Sequence, residues 1–203
     1  MTEDIYKTIK SPSAEVLFKD RNSKFFGYAF PINNEEMVKE HINRLKKQHH
    51  AARHWCYAYQ LGIETITYRV NDDGEPANSA GQPIYGQIQS FGVTNVLIVV
   101  VRYFGGVKLG VGGWINAYRT AAKLTLEESS IVNRTINVEY KIMFDYKNIN
   151  KVMRIVKEKN LKVTSQKLES NCELIISVRK SESEITKRLF EAIFEVKIDN
   201  LLT

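Results

Sequence analysis

His54 and Cys56 in "RHWCYAY" stand two apart on a run that reads as a strand, so their side chains share a face. An imidazole beside a thiol can work as base and nucleophile, or as half of a metal site; a buried structural pair has the same spacing. Against metal, Cys172 is the only other cysteine, and no Cys-x-x-Cys occurs. Asp72, Asp73 and Glu75 gather around Gly74 in "NDDGEPANSAG". Carboxylates that close can hold Mg²⁺ or serve as acid and base, whereas Asp-Gly followed by proline is also the signature of a tight turn. The spacing of a calcium-binding loop is absent, because no carboxylate alternation continues past Glu75.

The third candidate is "VVVRYFGGVKLGVGGWINAYRTAAK", residues 99–123. An apolar strand runs into Gly105, Gly106, Gly110, Gly112 and Gly113, five of the chain's 11 glycines, and then into a helix. A glycine loop leading to a helix N-terminus offers free N–H groups and a positive dipole end to an anion. Arg102 and Lys108 are the expected counter-charges there, with Arg119 and Lys123 extending the basic surface along the helix. Neither standard nucleotide motif fits. No Gly-Lys-Ser/Thr ends the loop, and Ile115 stands where a Gly-x-Gly-x-x-Gly run would need its last glycine. The same glycines also suit tight turns and close packing of helix on sheet. One helix end binds an anion weakly, so the expected ligand is a polyanion that touches several such groups.

The elements that position these residues fall into two halves. Every glycine and proline lies before residue 114. In the first half, "EVLFKD" with "KFFGYAFPI" and "HWCYAYQL" with "ETITYRV" read as strand pairs. "NNEEMVKEHINRLKKQHH" reads as a helix capped by Asn33, with Met37, His41, Ile42 and Leu45 inward. "ANSAGQPIYGQIQSF" holds a short helix, and "TNVLIVVV" is a central strand buried on both faces. Trp114, Ala117, Tyr118, Ala121 and Leu124 form the inward stripe of the following helix.

The second half reads β-α-β-β-α-β, the order of a ferredoxin-like domain. Ile136, Val138, Tyr140, Ile142 and Phe144 alternate as a strand, and Ile149, Val152, Met153 and Val156 share a helix face. Ser181 and Glu184 have capping-box spacing, and Ile185, Leu189 and Ile193 follow along one side. The outward positions of this sheet carry no aromatic residue, so the stacking platform of an RNA-recognition motif is missing. The predicted domains are 1–132 and 133–203, and the fold class is α+β.

Composition excludes little. The 203 residues carry a formal charge of +6, which suits an anionic partner or mere solubility. No apolar run reaches the roughly 18 residues of a membrane span, and two widely separated cysteines fit a reducing compartment. A cytoplasmic protein without a resident cofactor is expected.

"HWCYAYQLG", "DDGEPANSAGQPI" and "NVLIVVVRYFGGVKLGVGGWINAYRTAA" together resemble the IMPACT family of YigZ-type proteins. Many members have Gly-Thr-Ala-Gly after the Glu-Pro where this chain has Ala77-Asn78-Ser79-Ala80-Gly81, and Leu after the final glycine pair where it has Trp114. The resemblance implies an N-terminal domain similar to the second domain of ribosomal protein S5, as in domain IV of elongation factor G. It implies a ferredoxin-like C-terminal domain and a link to translation regulation, hence a partner that is RNA or the ribosome. It implies no catalytic residues. Two alternatives stand beside it. One is an enzyme whose His54, Cys56, Asp72, Asp73 and Glu75 converge on a pocket by the glycine loop. The other is a protein-interaction module that uses the C-terminal domain.

Overall fold

The computed structural model describes residues 4–107 and 109–201, and the expected loop cation Lys108 lies outside them. Two compact units divide the chain at 134/135. The first unit contains β1 (Ile5–Ile9, from Tyr6 on), β2 (Val16–Asp20), β3 (Ser23–Pro31), α1 (Glu35–Gln48), β4 (His54–Leu61), β5 (Thr67–Asn71), α2 (Gly81–Phe91), β6 (Val96–Tyr103), α3 (Gly110–Glu127) and β7 (Ile131–Thr135, to Arg134). Five of the strands form an antiparallel-paired sheet in the order β2-β3-β6-β4-β5.

The apolar run of β6 is central because it is covered twice. Val96, Ile98 and Val100 pack with Ala117, Tyr118 and Ala121 of α3 and Ile84 and Ile88 of α2. The intervening Leu97, Val99 and Val101 pack with Val38 and Leu45 of α1. A strand buried on both faces needs apolar residues at every position, which is why no alternation is visible there. In α3, Leu124 is only half-buried while Leu126 is fully inward.

α1 starts one residue later than its expected cap. The Asn34 side chain, not that of Asn33, accepts the Met37 amide at 3.0 Å. Glu35 and Glu36 in the first turn and Lys46 and Lys47 in the last complement the helix dipole.

The second unit is Asp4 and Ile5 together with 135–201. It runs β8 (Asn137–Asp145), α4 (Ile149–Glu158), β9 (Lys162–Lys167), β10 (Asn171–Arg179), α5 (Ser183–Glu191) and β11 (Val196–Leu201). The antiparallel sheet order is β11-β8-β10-β9. Tyr140, Ile142, Phe144, Leu174, Ile176 and Ile198 meet Val152, Ile155, Val156 and Phe190 in one core, so both helices cover the same face.

Two helices of this unit depart from the expected phase. Ser181 does not cap α5: its amide donates to Asp4, and a 3-10 turn at Lys180–Glu182 delays the helix to Ser183. That delay rotates the helix, so Thr186 and Phe190 are inward and Ile185 is exposed. In α4, Ile155 takes the buried place expected of Met153. A two-stranded sheet of β1 with β7 was not apparent in the sequence. Asp4 joins the second unit because its carboxylate accepts Arg179 Nε and Nη2 at 2.6 and 2.9 Å.

Candidate functional site

β6 brings Arg102 to the face it shares with Val96, Ile98 and Val100, toward α3 and not toward solvent. Its guanidinium Nη1 lies 2.5 Å from Glu75 Oε1, and both side chains are almost fully buried. The Tyr118 hydroxyl donates to the same oxygen at 2.8 Å. The Cys56 thiol lies 3.3 Å from that hydroxyl and 3.0 Å from the Asp72 carbonyl. Arg102 Cζ is 5.8 Å from the Phe25 ring centroid, 5.6 Å from Phe104 and 5.7 Å from Trp114. A desolvated guanidinium among three aromatic faces is stabilised by their quadrupoles. Arg102 Nε and Trp114 Nε1 are buried and have no hydrogen-bond partner among the described residues.

This arrangement corrects the role expected of Arg102. Its charge is matched inside the protein by Glu75, so it is not a surface counter-charge for phosphate. A guanidinium can be buried only when paired, and the acid turn supplies the partner from 27 residues away. Cys56 is not an activated nucleophile either. Burial pushes its thiol well above the ordinary cysteine range, which keeps it neutral. Burial likewise raises Tyr118, with Cys56 and Glu75 adding to the effect.

The remaining acids of the turn hold backbone. Asp72 Oδ1 accepts the amides of Ala80 and Gly81 at 2.9 and 2.8 Å, and Oδ2 accepts Asn78 at 2.9 Å. A carboxylate therefore closes the N-terminus of α2, satisfying donors that the helix itself cannot. Asp73 Oδ2 accepts the Trp55 amide at 2.7 Å, and His54 Nδ1 pairs with the Asp73 carbonyl at 2.9 Å. A carbonyl only accepts, so Nδ1 carries the hydrogen. Among the described residues, no three His, Cys, Asp or Glu side chains are grouped to hold a metal. His54, Cys56, Asp72, Asp73 and Glu75 do come together, but as a polar seam that joins β4, the turn, α2 and α3.

Four of the five loop glycines have a local structural reason. A Cβ on Gly105 would lie 2.1 Å from the Asn22 carbonyl carbon, and one on Gly113 would lie 2.9 Å from Leu109 Cβ. Gly106 and Gly110 have φ of 87° and 73°, a left-handed conformation that favours glycine. Gly112 has neither constraint: its Cβ would meet nothing within 4 Å. The start of α3 has no side-chain cap and no acid in its first turn, and Phe104, Val107 and Val111 around it are exposed.

Further along α3, Asn116, Arg119 and Lys123 face solvent. Lys123 Nζ is 3.5 Å from Glu127, an exposed pair of little energetic weight. Among the described residues Arg119 has no ion-pair partner and borders a groove against α2. Tyr118, which completes the buried relay, was visible in the sequence only as one residue of an apolar stripe. A tyrosine at the centre of such a stripe signals that its hydroxyl needs a buried partner.

The antiparallel five-stranded sheet with helices on both faces, an acid-locked turn between β5 and α2 and a glycine loop between β6 and α3 define an α+β domain joined to a four-stranded αβ unit. Residues 21–126 match the Impact N-terminal domain. An IMPACT family member of Haemophilus influenzae is 31% identical over 87% of this chain and 90% of its own length. The IMPACT family member YvyE of Bacillus subtilis is 30% identical over 88% of this chain and 82% of its own. The chain belongs to the IMPACT family. A crystal structure of a hypothetical protein shares the fold at a TM-score of 0.73, with 22% identity and 98% of both chains covered. Among the described residues no helix is long and apolar enough to cross a membrane.

Proposed function

We propose that the chain is a cytoplasmic translation-associated regulator that binds RNA or the ribosome through α3 and the loop before it. Membership of the IMPACT family supports the link to translation. One observation carries the choice of surface: the outer stripe Gly112, Asn116, Arg119 and Lys123 presents cations and amides without an acid before Glu127. The surrounding unit, 6–134, has 16 Lys and Arg against 11 Asp and Glu. Such a stripe suits the phosphates of a nucleic acid, which contribute affinity through several weak contacts at once. The loop glycines Gly105, Gly106, Gly110 and Gly113 belong to the same surface in this reading, while Arg102 acts from within by holding the loop's base. The first unit is read as similar to the second domain of ribosomal protein S5, and the second unit as ferredoxin-like.

The test measures binding of purified ribosomes and of a structured RNA against salt, for wild type and Arg119→Glu/Lys123→Glu. Both changes fall on exposed positions, so the variant should fold. The expected result is binding that weakens with salt and has a slope shallower by roughly one unit per lost phosphate contact in the variant. Binding that is absent, or that ignores both salt and charge reversal, removes this reading.

A second reading rests on the C-terminal unit. Phe194 is 81% exposed and Tyr146 57%, and Asn148 Nδ2 donates to the Phe194 carbonyl, which brings the two aromatic segments near each other. Exposed aromatic residues favour a protein partner there. A complex that survives high salt and is lost in Phe194→Ser would favour it.

A further inference from the structure

We infer that the groove between α2 and α3 holds one unpaired nucleotide of RNA, an inference that rests on the RNA-binding reading above. The groove is open to solvent and has a volume of about 320 Å³. Gln82, Pro83, Gly86 and Gln87 of α2 line one side, and Ile115 and Arg119 of α3 the other. Three features select the occupant. α2 carries no charged residue, and among the described residues no carboxylate lines the groove, so the positive charge of Arg119 suits a phosphate there. Gln82 and Gln87 each offer both a donor and acceptors, the functional groups that pair with the edge of a base. Ile115, half-buried, supplies apolar surface for the base's face.

Gly86 supplies the space. Its Cβ would meet nothing within 4 Å although it sits in the middle of a helix, where glycine is the less stable choice than alanine. Sequence-specific recognition of RNA works mainly on bases that are splayed out of a helix, and a groove of this size admits one base and its phosphate, not a duplex.

Gly86→Leu is the decisive variant, because it fills the groove while favouring the helix that carries it. Affinity for a fluorescein-labelled single-stranded RNA decamer and for a blunt RNA duplex is measured for wild type, Gly86→Leu and Arg119→Gln, with thermal melts as the folding control. The inference expects Gly86→Leu to melt no lower than wild type and to lose about tenfold in affinity for the single strand, with the duplex less affected. Arg119→Gln should weaken the single strand by a similar factor. Gly86→Leu binding the single strand as wild type does, or wild type binding only the duplex, overturns the groove while leaving RNA binding intact. Wild type binding neither RNA overturns the groove, and the RNA-binding reading falls with it only if ribosomes and structured RNA are not bound either. Saturable binding of inorganic phosphate equal to that of adenosine monophosphate would also overturn it, since the base would then contribute nothing.

Discussion

Arg102 and Glu75 form an ion pair at 2.5 Å with no more than 4% of either side chain exposed. Such a pair is costly to bury and far more costly to break, because removing one partner leaves an uncompensated charge in the core. Glu75→Gln should therefore lower unfolding free energy by about 3–5 kcal/mol, seen in urea denaturation. Arg102→Met should destabilise too, but Arg102→Met combined with Glu75→Gln should cost clearly less than the two single changes together. Additive costs would show that the pair is not coupled. The same pairing means that reversing Arg102 unfolds the site, so RNA-binding tests belong on Arg119 and Lys123.

Cys56 is buried, and desolvation holds its proton on. In native protein at pH 8 it should resist a thiol reagent and react fully in denaturant. Cys172, also buried and near the Glu169 carbonyl, should behave alike. The raised thiol has a pH signature. Above about pH 9 the unfolded chain releases this proton while the folded one keeps it, so stability falls as pH rises. Cys56→Ala should flatten the stability curve between pH 8 and 10 relative to wild type. Rapid native labelling, or an unchanged alkaline slope in the variant, would contradict the assignment.

Sequence pattern reached the elements better than the partners. The strand β6 and the stripe of α3 were legible because burial on one or two faces dictates side-chain type at fixed period. The phase of α5 was not, since it depends on Asp4 capturing the Ser181 amide from 177 residues away. The same limit hid the role of Arg102. Arg-Tyr-Phe-Gly-Gly looks like a surface loop with a cation at its base, and only the fold brings Glu75 to it. His54, Cys56 and the acid turn were found together as a group, yet whether such a cluster performs chemistry or holds backbone is decided by burial and by free coordination sites. Neither is written in spacing.

Glycines separate the structural from the open positions. At Gly27 in β3 a Cβ would lie 2.0 Å from Thr125 Oγ1 and 3.3 Å from the Ala121 carbonyl oxygen. Thr125 is buried, β-branched and bonded to Ala121, so it cannot swing away. Gly27→Ala should cost about 1–3 kcal/mol or more by overpacking, and Thr125→Ala in the same chain should recover part of that. Gly112→Ala meets open space on an exposed first turn and should be neutral or stabilising by at most about 1 kcal/mol. Thermal melts of the two variants give the comparison, and a similar loss in both would mean that Gly112 is packed after all.

Acid should loosen the second unit at a definite contact. Arg179 grips both oxygens of Asp4, and the Ser181 side chain and amide add to it, holding the Asp4 carboxyl well below the usual carboxylate range. A lowered folded value means that the unfolded chain takes up the proton first as pH falls. The stabilisation is therefore complete above about pH 4, the ordinary aspartate value, and drains away below it. Asp4→Asn removes the titration, so the difference in stability between wild type and variant should be constant from pH 7 to 5 and shrink toward pH 2. Arg179 is 43% exposed in its side chain, and salt should narrow the difference at neutral pH. Hydrogen exchange locates the effect: the Ser181 amide, which donates to the Asp4 carboxylate, should lose protection in Asp4→Asn before the amides of β6 do. A pH-independent difference, or equal loss of protection in both units, would show that Asp4 stabilises the protein by something other than its charge.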